Sequence, residues 1–456
     1  MQDPSMEFGK MNSAPGEVRA AEQLFHIPLS ELKKFIRDFH SEMDKGLNRK
    51  ASSLKMLPTY ASRPTGDERG KFLALDLGGT NFRTALLKLK GSRRSGKLES
   101  RKFALQKKHK TRTGKVLFDL LAQKMKEFMI ARGVDIRTNC DVGFTFSFPV
   151  KKKGIASGVL MEWTKGFTAK GVRGRDIVKL MNEALKRKGL HRTRVVAVIN
   201  DTVSTLVSRS YEDPRCRMGV ILGTGTNACY FEKPSRIKRL GRDPAVKKDM
   251  IVNIEWGNFN KLKRTVFDRK LDGLSHNPGK QILEKMISGL YLGNLVGLVA
   301  SDLIKKGLLF NTSDRGVFRD PDKFESEYVS DIQSDTTKRL RRVRTLLESL
   351  GVNGSTLSDR RLLKSICRII SNRAARLGAA AMVSVITWLD PFVLRKHTIA
   401  IDGSVYEKHK GFSGSVRSSL RELLSWRSPN IDLKLTKDAS QKGAAIMAAT
   451  LTDGER

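Results

Sequence analysis

Cysteine is scarce in this chain: Cys140, Cys216, Cys229 and Cys367 are the only four in 456 residues. None is spaced as Cys-x-x-Cys, and Cys229 sits inside an apolar run, so neither a disulfide framework nor a zinc site is expected. The pattern is a reduced, intracellular one, and a cytoplasmic protein is expected. No run approaches the ~18 consecutive apolar residues of a membrane span, so no transmembrane segment is expected. No charged-then-apolar leader opens the chain, which predicts that the sequons at Asn311 and Asn353 stay unmodified. Met11 is a plausible second start after Met1 to Lys10. With only 13 prolines and 39% hydrophobic residues, the chain reads as globular, long enough for two or three domains.

Acidic residues are also few. Asp and Glu number 47 against 86 Lys and Arg, a formal net charge of +39. Such a field attracts polyanions, whether nucleic acid or an acidic membrane surface. The basic residues are spread along the chain, with clusters at Arg93-Arg94, Lys107 to Lys115, Lys151 to Lys153, Lys186 to Lys188 and Lys338 to Arg344. No nucleic-acid-binding motif accompanies them, so a solvated basic surface is the expected reading.

What is present is organised around Phe72-Leu-Ala-Leu-Asp-Leu-Gly-Gly-Thr-Asn-Phe-Arg83. The apolar run Phe72 to Leu75 predicts a buried strand, and Asp76 places a carboxylate at its end. Gly78-Gly79 permits a tight turn with backbone close to a ligand. Ala85 to Leu89 returns as a second strand. Such a hairpin can cradle phosphate with backbone N–H groups. On this segment alone, a Gly-Gly hairpin without a ligand fits equally well. A second copy changes the weighing: Met218-Gly-Val-Ile-Leu-Gly-Thr-Gly-Thr-Asn-Ala-Cys-Tyr-Phe231 repeats strand, glycine turn and strand. Two such hairpins predict two similar halves facing each other across a nucleotide.

Along the chain, Leu32, Phe35, Ile36, Phe39 and Met43 predict an amphipathic helix from Pro28 to about Leu47, with Ser30 as its cap. Ser53 to Tyr60 and Arg63 to Gly66 read as a connector and candidate hinge. Lys90 to Lys115 reads as a basic loop with a short strand at Phe103 to Leu105. A helix is expected over Val116 to Ile130, a strand over Val142 to Pro149, a helix over Ile177 to Ala184 and a strand over Val195 to Ile199. Ile251 to Gly257 continues the second half. Long helical stretches follow at Gly279 to Leu308 and Arg360 to Leu389. A strand at Thr398 to Val405 and a final helix, about Gln441 to Leu451, complete an α/β pattern.

The paired hairpins resemble the two phosphate loops of the hexokinase family, and the resemblance runs from about Leu32 to Ala449. It implies a two-domain actin-like ATPase (ribonuclease H-like) fold with its active site in the interdomain cleft. Residues 11–62 and 206–438 would form the large domain, and 66–200 with 440–456 the small one. It implies ATP-dependent phosphorylation of a hexose, with Asp201 in Asn200-Asp-Thr202 taking the proton of the sugar 6-hydroxyl. An Asp just past a strand otherwise reads as a helix N-cap. Lys165 in Trp163-Thr-Lys-Gly-Phe167 would stabilise charge on the transferring phosphoryl group. Ser147, Phe148, Thr164, Lys165, Asn200, Asp201, Asn227, Glu255, Gln281 and Glu284 match the sugar pocket. Taken singly, Glu284 reads as a solvated helix face and Asn227 as a turn residue. Asp76, Gly78, Gly79, Thr80, Asn81, Arg83, Thr224 and Gly225 match the phosphate loops. Ser326, Ser330, Gly403 and Ser404 match nucleotide contacts. No metal ligand set is implied, since Mg²⁺ arrives mainly on the phosphates of ATP. The resemblance leaves the oligomeric state open.

Three departures stand out. The final loop, Asp438-Ala-Ser-Gln-Lys-Gly443, lacks two glycines the family usually has, which puts ATP affinity in question. Asn294 replaces a common Glu, and Arg173 occupies a commonly acidic position. Two rival readings follow: a hexose sensor with weak catalysis, and polyanion binding through the basic surface.

Overall fold

The computed structural model describes residues 14–79, 81–240, 249–310 and 316–452. Thr80, the sequon at Asn311 and the chain before Ala14 lie outside the described residues. In chain order the first strands are β1 (Leu57–Ser62), β2 (Arg69–Leu77), β3 (Asn81–Lys90) and β4 (Glu99–Ala104). Next come β5 (Cys140–Phe146), β6 (Val150–Gly154), β7 (Ser157–Leu160) and β8 (Thr193–Ile199). The last are β9 (Cys216–Leu222), β10 (Thr226–Glu232), β11 (Met250–Asn253), β12 (His397–Asp402) and β13 (Ile431–Leu435).

Eleven of these strands build two sheets of one topology, while β6 and β7 pair with each other as a separate antiparallel hairpin. The first runs β4-β3-β2-β5-β8, and the second runs β1-β11-β10-β9-β12-β13. In each, a hairpin carries a third antiparallel strand on one side and two parallel strands on the other. The two halves of the chain are therefore structural repeats, as the paired hairpins predict. β1 is the addition to the pattern, pairing antiparallel with β11.

The halves exchange helices. The helix Asp201–Glu212 follows β8 yet packs on β9, and the helix Ala439–Thr452 follows β13 yet packs on β2 and β5. Glycines permit both approaches. A Cβ on Gly219 would lie 2.9 Å from the Thr202 carbonyl oxygen, and one on Gly143 only 1.8 Å from that of Ala444. The two helices also pack on each other, where a Cβ on Gly443 would lie 2.1 Å from the Ser204 oxygen. Thr145 ties the junction, sharing a 2.8 Å hydrogen bond with Ser204 Oγ and donating at 2.8 Å to the Ser440 carbonyl. A buried core of small and aliphatic residues, among them Ala74, Ala197, Val203 and Ala444 to Ala449, fills the space between the sheets.

Several expectations need correction. Ser30 lies inside the helix Leu29–Leu47, whose N-cap is Pro28. The first connector is partly a strand, since Leu57 to Ser62 is β1; the rest is pinned by Arg63, which lies 3.8 Å over the Phe231 ring. Lys152 Nζ joins the edge strands of the two sheets, donating to the carbonyls of Thr59 at 2.7 Å and Val198 at 2.6 Å. Burial pulls its pKa down to about 7. The basic loop contains all of β4 and a short helix, Lys107–Thr111. The stretch from Gly279 is two helices, Ile282–Ile287 and Gly289–Lys305, broken at Ser288. The helix Leu357–Leu389 is long and apolar enough to cross a membrane, but 89% of its apolar window is buried inside the protein. It is the spine of the larger core.

Candidate active site

The first hairpin turns at Gly78-Gly79, closed by Gly78 N–H donating to the Asn81 carbonyl at 3.2 Å. Asp76 and Arg83 face each other across β2 and β3, and Arg83 Nη1 lies 3.0 Å from Asp76 Oδ2. Gln441 Nε2 donates to the same oxygen at 2.9 Å. Burial nevertheless raises the Asp76 pKa, with the nearby Asp201 charge adding to it. Gln441 comes from the stretch that lacks glycines, which is not a loop beyond Asp438 but the first turn of the helix Ala439–Thr452. There Asp438 adopts the left-handed conformation at φ 54°, which aspartate tolerates better than most residues. The loss of glycine thus brings a side chain onto the first hairpin's carboxylate.

The second hairpin turns through Gly223-Thr224-Gly225, and Gly223 N–H donates to the Gly225 carbonyl at 3.0 Å. The break at Ser288 has its cause here. The freed N–H groups of Gly289 and Leu290 donate to the carbonyls of Gly223 and Thr224 at 2.8 and 3.0 Å. Gly403, at φ 124°, packs against the same turn, where a Cβ would lie 2.3 Å from the Leu222 oxygen. Ser404 opens the short helix after it.

Beside this turn lies a ring of amides and carboxylates. Glu255 Oε1 accepts from Asn227 Nδ2 at 2.9 Å and from Asn253 Nδ2 at 2.8 Å. Asn227 Oδ1 accepts from the Glu255 N–H at 3.0 Å, which holds Glu255 in a left-handed conformation at φ 57°. Glu284 Oε2 accepts from the Thr226 N–H at 3.0 Å. It also sits against Gly225, whose lack of a side chain leaves it room. Burial raises the Glu284 pKa, and the Glu255 charge raises it further. Gln281, left-handed at φ 52°, accepts from Asn277 Nδ2 beside this ring.

The opposing wall comes from the first half. Phe146, Phe148, Trp163 and Phe167 cluster with centroids 4.8 to 6.0 Å apart, Trp163 stacked on Phe167 and the other pairs tilted or edge-on, and Trp163 Nε1 donates to the Ala169 carbonyl at 2.9 Å. This cluster shapes the loop carrying Thr164 and Lys165. Lys165 is left-handed at φ 57°, donates from Nζ to the Ser147 carbonyl at 2.8 Å, and lies against Gly79. Its charge reaches Glu284 and favours the ionised carboxylate there. Asp201 opens the helix Asp201–Glu212, with Oδ1 accepting from the Thr202 N–H at 2.7 Å. Asn200, not Asp201, is the N-cap, its Oδ1 accepting from the Val203 N–H at 2.8 Å.

Ser326 and Ser330 each make a local backbone bond. Their hydroxyls accept from the N–H groups of Gly293 at 2.8 Å and Lys410 at 3.2 Å. Asn294 donates to Asp322 Oδ1 at 3.0 Å, and Arg173 to the Met161 carbonyl at 3.0 Å, so both departures settle into local bonds. Three members of the site were not anticipated. Asn253 stands two residues before Glu255 at the end of β11, a spacing that could have paired them. Gln441 was hidden behind the missing glycines. Asp402, at the end of β12, carries a pKa raised to about 6 by burial, with the Asp201 charge contributing.

Asp402 yields a stability prediction. A buried carboxyl whose folded pKa exceeds its unfolded value of 3.8 costs stability once the pH exceeds both values. Asp402→Asn is therefore expected to stabilise the fold at pH 8 by about 1 to 3 kcal/mol, because each tenfold change in proton affinity between the folded and unfolded chain is worth about 1.4 kcal/mol. The gain should fade as the pH falls to about 4. Thermal unfolding midpoints of both proteins at the two pH values check this; an equal gain at both would leave Asp402 without a titrating cost.

Two repeated sheets, each presenting a glycine hairpin to one cleft, define a two-domain protein of the actin-like ATPase class. Family models described as hexokinase match residues 17–211 and 217–450. Hexokinase-2 of Rattus norvegicus is 38% identical over 445 residues, covering 94% of this chain and 47% of the rat protein. Hexokinase-1 of Homo sapiens is 38% identical over 443 residues, covering 93% and 47%. The chain thus spans about half the length of the curated relatives it matches. A solved hexokinase from Schistosoma mansoni, complexed with glucose, superimposes with a TM-score of 0.83 at 32% identity, covering 96% of this chain and 99% of that one. The chain belongs to the hexokinase family.

Proposed function

We propose that this protein is an ATP-dependent hexokinase that transfers the γ-phosphoryl group of ATP to the 6-hydroxyl of glucose and related hexoses. What supports this reading is that Lys165 lies against the first hairpin and its charge reaches Glu284 of the Asn227–Asn253–Glu255–Glu284 ring, while the Asp201 charge reaches both Asp76 and Asp402. A hexose presents several hydroxyls, and a ring of fixed acceptors and amides suits their directional bonds. Asp201 would take the proton from the attacking hydroxyl. The hydroxyl oxygen then bonds to the γ-phosphorus, the bond to the bridging oxygen breaks, and ADP leaves. Lys165, beside the first hairpin, would balance charge gathering on the transferring group. ATP would arrive as its Mg²⁺ complex, the ion neutralising phosphate charge, with Asp76 as the carboxylate beside the first hairpin. We divide the chain into lobes as its sequence suggests, 11–62 with 206–438 and 66–200 with 440–456. We place the reaction in the cytoplasm, at the entry to glycolysis. The altered segment still reaches the first hairpin, through Gln441 donating to Asp76.

A coupled assay with ATP and glucose, fructose or mannose tests the reading. Hexose-dependent ADP release is expected, and none above the background of an Asp201→Ala variant would sink it.

The polar ring predicts binding effects of its own. Glu255→Gln and Glu284→Ala should each weaken hexose binding by about 1 to 3 kcal/mol, the cost of an acceptor, half-buried here and covered by the sugar, that is lost or left unpaired. KM for ATP should move far less. Wild-type KM for every hexose in both variants would place the pocket elsewhere.

A further inference from the structure

Among the described residues, the three most exposed large apolar side chains are Trp426 at 73%, Phe392 at 68% and Leu394 at 65%. They stand on two adjacent turns, one after the long helix Leu357–Leu389 and one at Ser425–Asn430. Two hydrogen bonds tie the turns together: Asn430 Nδ2 donates to the Val393 carbonyl at 2.9 Å and Arg427 Nη1 to that of Phe392 at 3.4 Å.

The backbone is bent to hold this display. Val393, between the two exposed residues, is fully buried and left-handed at φ 49°, an outlier for a β-branched side chain. Asp390 braces the turn, its carboxylate accepting from the Arg395 N–H and bonding His397 Nε2, both at 3.0 Å. Ser425, at φ 53°, makes a comparable bend before Trp426.

The surroundings select the partner. Arg395 and Lys396 are exposed beside the apolar residues, and the Arg427 guanidinium lies 5.9 Å from the Trp426 ring centroid. The nearby carboxylates are engaged: Asp390 as above, Glu422 with Arg376, and Asp432 with Lys434 at 3.0 Å. Side chains about two-thirds exposed project outward and do not line a groove that would grip a peptide. Projecting Trp, Phe and Leu with flanking Arg and Lys match the interface of an anionic bilayer, where the rings enter the headgroup layer and the cations meet lipid charge.

We propose that this patch docks the protein peripherally on anionic lipid membranes, a role beyond the proposed phosphotransfer. The patch adjoins His397, the first residue of β12, whereas the cleft residue Asp402 is its last. Five steps of about 3.3 Å separate them, so a docked protein keeps its cleft off the surface.

Co-sedimentation of the full chain with vesicles at physiological salt tests this. Binding is expected to phosphatidylcholine vesicles containing phosphatidylserine, and little to phosphatidylcholine alone. Brominated acyl chains should quench tryptophan emission in the wild-type protein but not in Trp426→Phe. The double variant Phe392→Ser, Trp426→Ser should bind roughly tenfold or more weakly. Arg395→Glu with Lys396→Glu should also weaken binding, with unchanged far-ultraviolet circular dichroism showing that both variants fold. Wild-type binding by the double serine variant would overturn the proposal, leaving the +39 charge alone to attract the vesicles. So would the absence of binding to either vesicle, which would leave the patch to a protein partner.

Discussion

Asp201→Ala is expected to abolish phosphoryl transfer while leaving hexose binding measurable. The position of the carboxylate is the reason. Its charge raises the pKa of Asp76 from the first half and of Asp402 from the second, so it stands near both. Its Oδ1 is oriented by Thr202, through the N–H at 2.7 Å and Oγ1 at 3.2 Å. The competing explanation, a carboxylate that merely starts a helix, is weakened because Asn200 supplies the cap. Removing Asp201 should therefore leave the helix intact and take away the base. Loss of a general base costs ~10²–10⁴ in rate. In the proposed pocket Asn227, Asn253, Glu255 and Glu284 would still meet the hexose, so binding read by calorimetry should persist. A variant holding more than half the wild-type kcat would overturn the assignment. Asp201→Asn sharpens the test by preserving shape and acceptor oxygen, and it should be nearly as inactive.

Much of this was legible in the sequence, and the reason is locality. The hairpins show because apolar runs and glycine turns are properties of neighbouring residues: Asp76 and Arg83 pair across a two-strand register that the turn itself sets. The long helices show through their period. What depends on distant partners does not. Nothing in Leu57 to Ser62 announces that β1 will pair with β11, almost two hundred residues on. β4 is largely exposed, so no apolar alternation marks it. The break at Ser288 follows from carbonyls on the second hairpin that accept from Gly289 and Leu290.

The site divides in the same way. The resemblance to hexokinases supplies most of the candidate residues, and the structure sets Lys165 against the first hairpin and Glu284 against the second. Asn253 and Asp402 escaped because each reads as an ordinary strand residue until its neighbour across the cleft is known. Gln441 escaped for a different reason: its role rests on contact with Asp76, hundreds of residues earlier, and the missing glycines around it say nothing of that partner. Gly443, by contrast, keeps the family's glycine where the Ser204 carbonyl would leave no room for a Cβ.

Lys165→Met is expected to lower kcat by ~10²–10³, the usual cost of removing one donor aimed at developing charge. Met keeps the unbranched stem and removes only the ammonium group, so the packing against Gly79 is retained. Two features of the wild-type residue motivate the size of the effect. Its backbone is left-handed at φ 57°, a conformation the loop maintains at a cost for any residue with a Cβ. Its Nζ donates to the Ser147 carbonyl at 2.8 Å while lying 5.5 Å from the Phe148 ring centroid, which leaves other donors of the ammonium for an incoming phosphate. A side chain needed only for solubility would not be held this way. The kinetic signature separates the alternatives. Stabilisation confined to the transition state lowers kcat and kcat/KM together, whereas a contact made equally in the ground state raises KM alone. Hexose KM should change little, because the acceptor ring on the opposite wall is untouched. Lys165→Arg, which restores the charge with different geometry, should recover part of the loss. If Lys165→Met raised KM for ATP with kcat unchanged, Lys165 would be a binding residue for the nucleotide and the charge-stabilising role would pass to another group.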